Sequence, residues 1–219
     1  MTDSIDIART RQGLYRFLGG ALLPPTEDQF QLLAGAVAVL GDRDIDDFAF
    51  SPSWHRLSSQ FPLDVRSSGI DVDYVRLFAS GRSGALAPPT ESYYRVPAKG
   101  GGIAQFVGEL QREYRSMGIA SVGIAEAPDH VSTELEVMAY LCDLEATNWA
   151  SGQMRLVDDT LALQHRFLRQ HLRVWIPQFR RRVNDAPPSH FYVDLVDAVH
   201  AFVVHETDYV QLVRKELAT

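Results

Sequence analysis

Apolar side chains recur every three to four positions through most of the chain, and runs that alternate apolar with polar are scarce. That period is helical, so an all-α fold is expected, built as a single-domain helical bundle. Ile7, Leu14, Tyr15 and Leu18 share one side of a first helix over 5–18, which ends near Gly19 and Gly20. Pro24 and Pro25 break the chain. Thr26 and Gln29 then form a capping box for a second helix through Phe30, Leu33, Val37 and Leu40, closed by Gly41. Ser51 before Pro52 reads as the N-cap of a third helix around Trp54 and Leu57. A fourth, over 72–79, runs into 81–102, where glycine and proline interrupt the period and a loop is predicted. Helical spacing returns over 103–117, stops at Gly118, and gives way to a connection over 119–129. The longest pattern, 156–183, puts Val157, Leu161, Leu168, Leu172, Trp175 and Phe179 on one face. Asp158 and Asp159 fall in its first turn and Arg180, Arg181 and Arg182 in its last, which suits the helix dipole, and Pro177 is expected to kink it. A final helix follows Pro187 and Pro188, with Ser189 as its cap and Phe191, Leu195, Val199 and Phe202 inward.

Composition narrows the function more than the fold. A chain of 219 residues that is 46% hydrophobic can bury one sizeable core. The expected organisation is one domain over 1–219, with a flexible connection around 80–102 and a motif loop at 119–131. A net charge of −7 argues against a phosphate-tracking surface, so no nucleic-acid partner is expected. The lone Cys142 lies in the apolar run 137–144, where a thiol acts as a small buried hydrophobe. Charges occupy the start of the chain where a signal peptide needs an apolar stretch, and no segment approaches the ~18 apolar residues of a membrane span. A cytoplasmic location without stable membrane insertion is the expectation.

The stretch Glu126-Ala127-Pro128-Asp129-His130, followed by Ser132, Thr133 and Glu134, holds the densest candidate chemistry. As plain structure, Asp129 or Ser132 is an N-cap and the acidic residues favour the positive end of a helix dipole. As a site, it groups donors, acceptors and a titratable imidazole, which suits a peptide or a polar cofactor fragment. His130 and Glu134, spaced i and i+4, also stand as a metal pair for a small metal-dependent hydrolase, although there is no HExxH and no cysteine pair to support it. His171 and His200 lie in apolar helical faces and read as core histidines. Lys99-Gly100-Gly101-Gly102 lacks the Walker spacing and reads as a connection; no G-x-S-x-G elbow or Rossmann fingerprint occurs. Tyr74, Leu77 and Phe78, and beyond the loop Pro89, Glu91 and Ser92, are either core or the lining of a groove for an apolar peptide helix.

Four stretches in this order resemble the TorD/DmsD/NarJ family of redox-enzyme maturation chaperones: DYVRLF at 73–78, APPTESYY at 87–94, EAPDHVSTELEVMAYL at 126–141 and FLRQHLRVWIPQF at 167–179. The resemblance implies an all-helical, non-enzymatic protein without its own cofactor. Such a protein binds the twin-arginine signal peptide and apo-form of a molybdoenzyme catalytic subunit, aids molybdenum cofactor insertion and proofreads export. The client, not the chaperone, carries the molybdopterin guanine dinucleotide. It further implies a signal-peptide site at Tyr74, Leu77, Phe78, Pro89, Glu91, Ser92, Glu126, Asp129 and His130, with His171 and Trp175 structural. Weak GTP binding, and a monomer or domain-swapped dimer, are also implied, leaving a GTP-responsive regulator as a rival reading. The family's usual form is Glu-Pro-x-Asp-His, whereas here Pro128 adjoins Asp129. The PPTESYY form resembles the subgroup serving dimethylsulfide, ethylbenzene, chlorate and selenate enzymes.

Overall fold

The computed structural model describes residues 2–41, 45, 48–61, 64–79, 84–97, 102–119, 126–186 and 189–218. Their regular elements are all helices: α1 (Thr2–Ala21), α2 (Glu27–Gly41), α3 (Ser51–Ser58), α4 (Val65–Ser68), α5 (Ile70–Phe78), α6 (Glu91–Arg95), α7 (Ile103–Ser116), α8 (Val131–Ala150), α9 (Met154–Gln170), α10 (Leu172–Asp185) and α11 (His190–Leu217). The flexible connection and the motif loop fall partly outside the described residues, as do Lys99, Gly100, Gly101, Pro187 and Pro188.

The axis of the bundle is α8, buried on nearly every side because its apolar residues are not confined to one stripe. It packs most extensively against α1, whose Gly19 lies against Ser132 and Leu135. On its other side lies α9, and α11 closes the bundle against α9, α10 and α3.

Four of these helices meet at one buried cation. Arg11 of α1 donates its Nε to both carboxylate oxygens of Glu206 on α11 (3.0 and 2.9 Å), Nη1 to Glu145 of α8 (2.6 Å) and Nη2 to Gln164 of α9 (2.5 Å). Gln164 donates back to Glu145 and to the Leu141 carbonyl, and Trp149 donates its indole N–H to Glu145. All of this lies away from solvent, with Arg11 2% exposed and Glu206 and Gln164 at 0%. A guanidinium out of water persists only with its donors answered, and here that takes residues from α1, α8, α9 and α11.

Several helix boundaries depart from the sequence expectation. The pattern over 156–183 is two helices, broken at His171 (φ −120°, ψ −90°), while α10 continues through Pro177. Because α9 begins at Met154, Asp158 and Asp159 lie past its first turn. Ser51 is itself helical, and the N-cap of α3 is Phe50 without a side-chain cap bond. Ser189 does occupy the N-cap of α11, yet its hydroxyl makes no cap bond. Residues 91–95, expected as loop, form α6. Thr26 caps as expected, accepting from the Gln29 N–H at 3.3 Å, but the Gln29 side chain turns to the Gly20 carbonyl instead of closing the box. Cys142 is buried, in keeping with its apolar surroundings.

Arg11→Ala should cost about 3–5 kcal/mol of folding free energy, because two buried carboxylates lose their countercharge. Arg11→Met, which keeps volume and removes charge, should lose a similar amount. Urea unfolding of both variants separates the charge from the cavity.

Candidate functional site

The candidate residues come from two segments far apart in sequence, joined by a short antiparallel bridge between Thr90 and His130. The Glu91 N–H donates to the Asp129 carbonyl (2.8 Å) and the Val131 N–H to the Pro89 carbonyl (2.9 Å). Thr90 offers α6 no cap; Asp129 supplies it from across the bridge, Oδ2 accepting from the Ser92 N–H at 3.2 Å. The cap of α8 is neither Asp129 nor Ser132 but His130, whose Nδ1 accepts from the Ser132 N–H at 3.2 Å. Pro89, Glu91, Ser92, Asp129 and His130 are therefore one unit, all buried.

Beneath the bridge lies a polar cluster. Glu91 is fully buried, its Oε2 2.8 Å from His171 Nδ1 and its Oε1 2.5 Å from Arg95 Nη1. The far nitrogen of His171 meets Glu113 of α7 at 3.0 Å, and Arg166 stands 3.7 Å from the same carboxylate. Burial works against a charge on His171, but the bonds to Glu113 and Glu91 outweigh it and raise the imidazole to about 9. These contacts also explain the break in the long helix: Arg95 donates to the Gln170 carbonyl (2.8 Å), one of the groups left open where α9 stops. One turn further along α10, Trp175 donates its indole N–H to Glu134 Oε2 at 2.9 Å, and Tyr94 stacks on its ring. Tyr114 of α7 closes the edge with a 2.8 Å bond to the Pro128 carbonyl.

The expected groove on Leu77 and Phe78 is filled. Leu77 is fully buried, and the Phe78 ring packs edge-on against Tyr192 (5.0 Å) and beside Phe179 (5.8 Å). Tyr74 joins the same aromatic group; burial first, then the nearby Glu126, push its hydroxyl up to about 12. Glu126 is also felt by His130, whose imidazole burial nonetheless holds below its ordinary value. The outward face of α5 carries Val72 and Val75 instead.

An open cleft lies next door. It has a volume of about 520 Å³ and is lined by Phe106, Leu110 and Val174 together with Arg95, Glu109, Glu113, Arg169 and His171. Sequence reasoning missed Glu113, Arg95 and Tyr114, because nothing in the local pattern of α6 or α7 marks partners that lie 58 (His171), 75 (Gln170) and 14 (Pro128) residues away. The hydrolase alternative loses its pair here: His130 Nδ1 is committed to its cap and Glu134 to Trp175, and no group of three or more metal-binding side chains occurs among the described residues.

The sequence pattern of the family described as nitrate reductase delta subunit matches residues 52–181, a span holding the bridge, the buried cluster and the cleft. The chain belongs to this family of redox-enzyme maturation chaperones. The selenate reductase assembly chaperone of Thauera selenatis is 31% identical over 134 residues, 60% of this chain and 67% of that protein. The chlorate reductase assembly chaperone of Ideonella dechloratans is 30% identical over the same shares. The perchlorate reductase assembly chaperone of Dechloromonas aromatica (strain RCB) is 27% identical over 60% of this chain and 58% of that protein. In three dimensions the chaperone matches a crystal structure from Archaeoglobus fulgidus described as that of a redox enzyme maturation protein, at a TM-score of 0.55 and 18% identity, over 88% of this chain and 93% of that one. These relatives are chaperones and not enzymes, and so is this protein.

With a folded value near 9 against about 6.5 unfolded, His171 contributes stability that is complete below about pH 6.5 and is lost as pH rises through 9. A histidine NMR titration should find His171 protonated at pH 7.5 while His130 is neutral. Glu113→Gln should lower the His171 titration midpoint by removing one of its two carboxylates.

Proposed function

We propose that this chaperone holds the unexported catalytic subunit of a molybdenum-dependent reductase, gripping its twin-arginine leader while cofactor is inserted. The observation carrying this reading is the cleft beside the motif bridge. It sets apolar side chains (Phe106, Leu110, Val174) among charged ones, the combination that a short segment with apolar and basic residues requires. The exposed carboxylate of Glu109 suits an arginine of the segment, and Arg169 suits its backbone carbonyls.

In this reading the roles differ from those the resemblance assigned. Asp129, His130, Glu91 and Ser92 hold the bridge and the His171 side of the cleft in place, and Tyr74, Leu77, Phe78 and Pro89 pack beneath the motif. Client contact falls to the exposed Glu109 and Arg169 and to the apolar side chains the fold leaves outward, Tyr93 and Val174 among them. The relatives' named clients, selenate, chlorate and perchlorate reductases, point to an oxyanion reductase as the class of partner. Cytoplasmic residence follows from the role, since leader and cofactor meet before export. No helix among the described residues is long and apolar enough to cross a membrane.

The test is titration of a fluorescent leader peptide, taken from a reductase encoded beside this gene, against wild type and Val174→Asp. Val174 is 41% exposed, so the substitution leaves the core intact. Affinity should fall at least about tenfold, the ~1.4 kcal/mol scale of one lost apolar contact with a desolvated charge. Equal affinity in a variant that melts like wild type removes the cleft from client binding.

A further inference from the structure

We propose that Glu134 is carried as the neutral acid in the native protein, and that its proton fastens the 89–95 motif segment to α8. Glu134 and its neighbour Glu91 are both at 0% exposure, on α8 and α6. His171, at the N-cap of α10, reaches Glu91, and Trp175, four residues on, reaches Glu134, which sets the two acids side by side. Trp175 serves Glu134 Oε2, but Oε1 finds no donor among the described residues. As an anion, Glu134 would keep a buried charge on an oxygen that nothing solvates, costing several kcal/mol.

Among the described residues no cation offsets that charge. The groups facing Glu134 are Glu91 from α6, Asp129 from the preceding loop, Tyr114 from α7 and Trp175 from α10. Arg95 and His171 are engaged by Glu91, Arg166 stands on Glu113, and Tyr114 spends its hydroxyl on Pro128. His130, the cap of the same helix, is held toward its neutral form by burial. The N-terminal dipole of α8 favours an anion in its first turn by only about 0.3–1 kcal/mol, too little to change the outcome. Burial first, and then the charge of Glu91, hold the Glu134 carboxyl well above the usual range, with the Trp175 bond opposing. Protonated, Oε1 gains a hydrogen to donate to Glu91, and the orphan oxygen becomes a link between α8 and α6.

The linkage has a definite sign. A carboxyl whose folded value is raised adds stability that is complete below its unfolded value, about 4.3, and is lost as pH rises through the folded value. The motif segment is thus fastened by proton uptake and loosened at alkaline pH, independently of which client it serves.

Glu134→Gln reproduces the neutral acid, with an amide N–H for Glu91 and a carbonyl for Trp175. Urea unfolding of wild type and Glu134→Gln from pH 5 to 9 should show the variant gaining on wild type by about tenfold in the folding equilibrium constant per pH unit until Glu134 ionises. Contributions from His171 and from Glu206, whose carboxyl is also raised by burial, occur in both proteins and cancel in the difference. Parallel pH profiles, or a wild type that gains on the variant as pH rises, overturn the proposal. Carboxyl-carbon NMR of glutamate-labelled wild type decides the matter even where the variant does not fold: the Glu134 signal should lie in the protonated range at pH 7, and an ionised signal there sinks it.

Discussion

A guanidinium without water must have its donors met, and in this molecule Arg11 can be satisfied only when α1, α8, α9 and α11 are all in register. Apolar packing alone would let α8 rotate or slide, since it is greasy on most sides. The bonds from Arg11 and Gln164 to Glu145 remove that freedom. Glu134 lies eleven residues before Glu145, three helical turns or about 16 Å away, on the same face. Fixing one end of α8 on Arg11 therefore aims the other end at α10, where Trp175 receives it.

The motif segments hold no structure of their own. Helix α6 is five residues long, far below the length at which an isolated helix forms in water. It exists because its contacts come from elsewhere: Asp129 caps it, Glu91 reaches His171, and Arg95 reaches the carbonyl of Gln170. The exchange is mutual, because the break between α9 and α10 needs Arg95 as much as α6 needs His171. Each segment supplies what the other leaves unpaired, so the unit orders together or not at all.

This mutual dependence marks the boundary of what was legible in the sequence. Long helices such as α1, α2 and α11 follow from periodicity, because one apolar stripe against one core decides them. The capping of α8 was misassigned because histidine is a rare cap, and Asp129, the better local candidate, is spent on a helix 37 residues upstream. Pro177, expected to kink the long helix, lies inside the continuous α10, and the carbonyl it leaves unserved belongs to Arg173, an exposed residue that water can reach. The long helix yields at His171, where carboxylates from α6 and α7 capture the imidazole. The four motif stretches supply the residues of the bridge and the buried cluster, but they could not say which side chains face inward. Leu77 and Phe78 read equally well as groove or as core, and only the positions of Tyr192 and Phe179 decide for core.

Under the proposed function, gripping an unfolded partner without unfolding requires the rigidity of the site to be separate from the apolarity of the surface. Burying Glu91, Glu134, Asp129 and His171 achieves this: a satisfied polar network admits one arrangement, whereas an all-apolar interior tolerates several. The apolar surface can then be small. A cleft of about 520 Å³ takes a few side chains and not a folded domain, which restricts any ligand to a segment still free of tertiary structure.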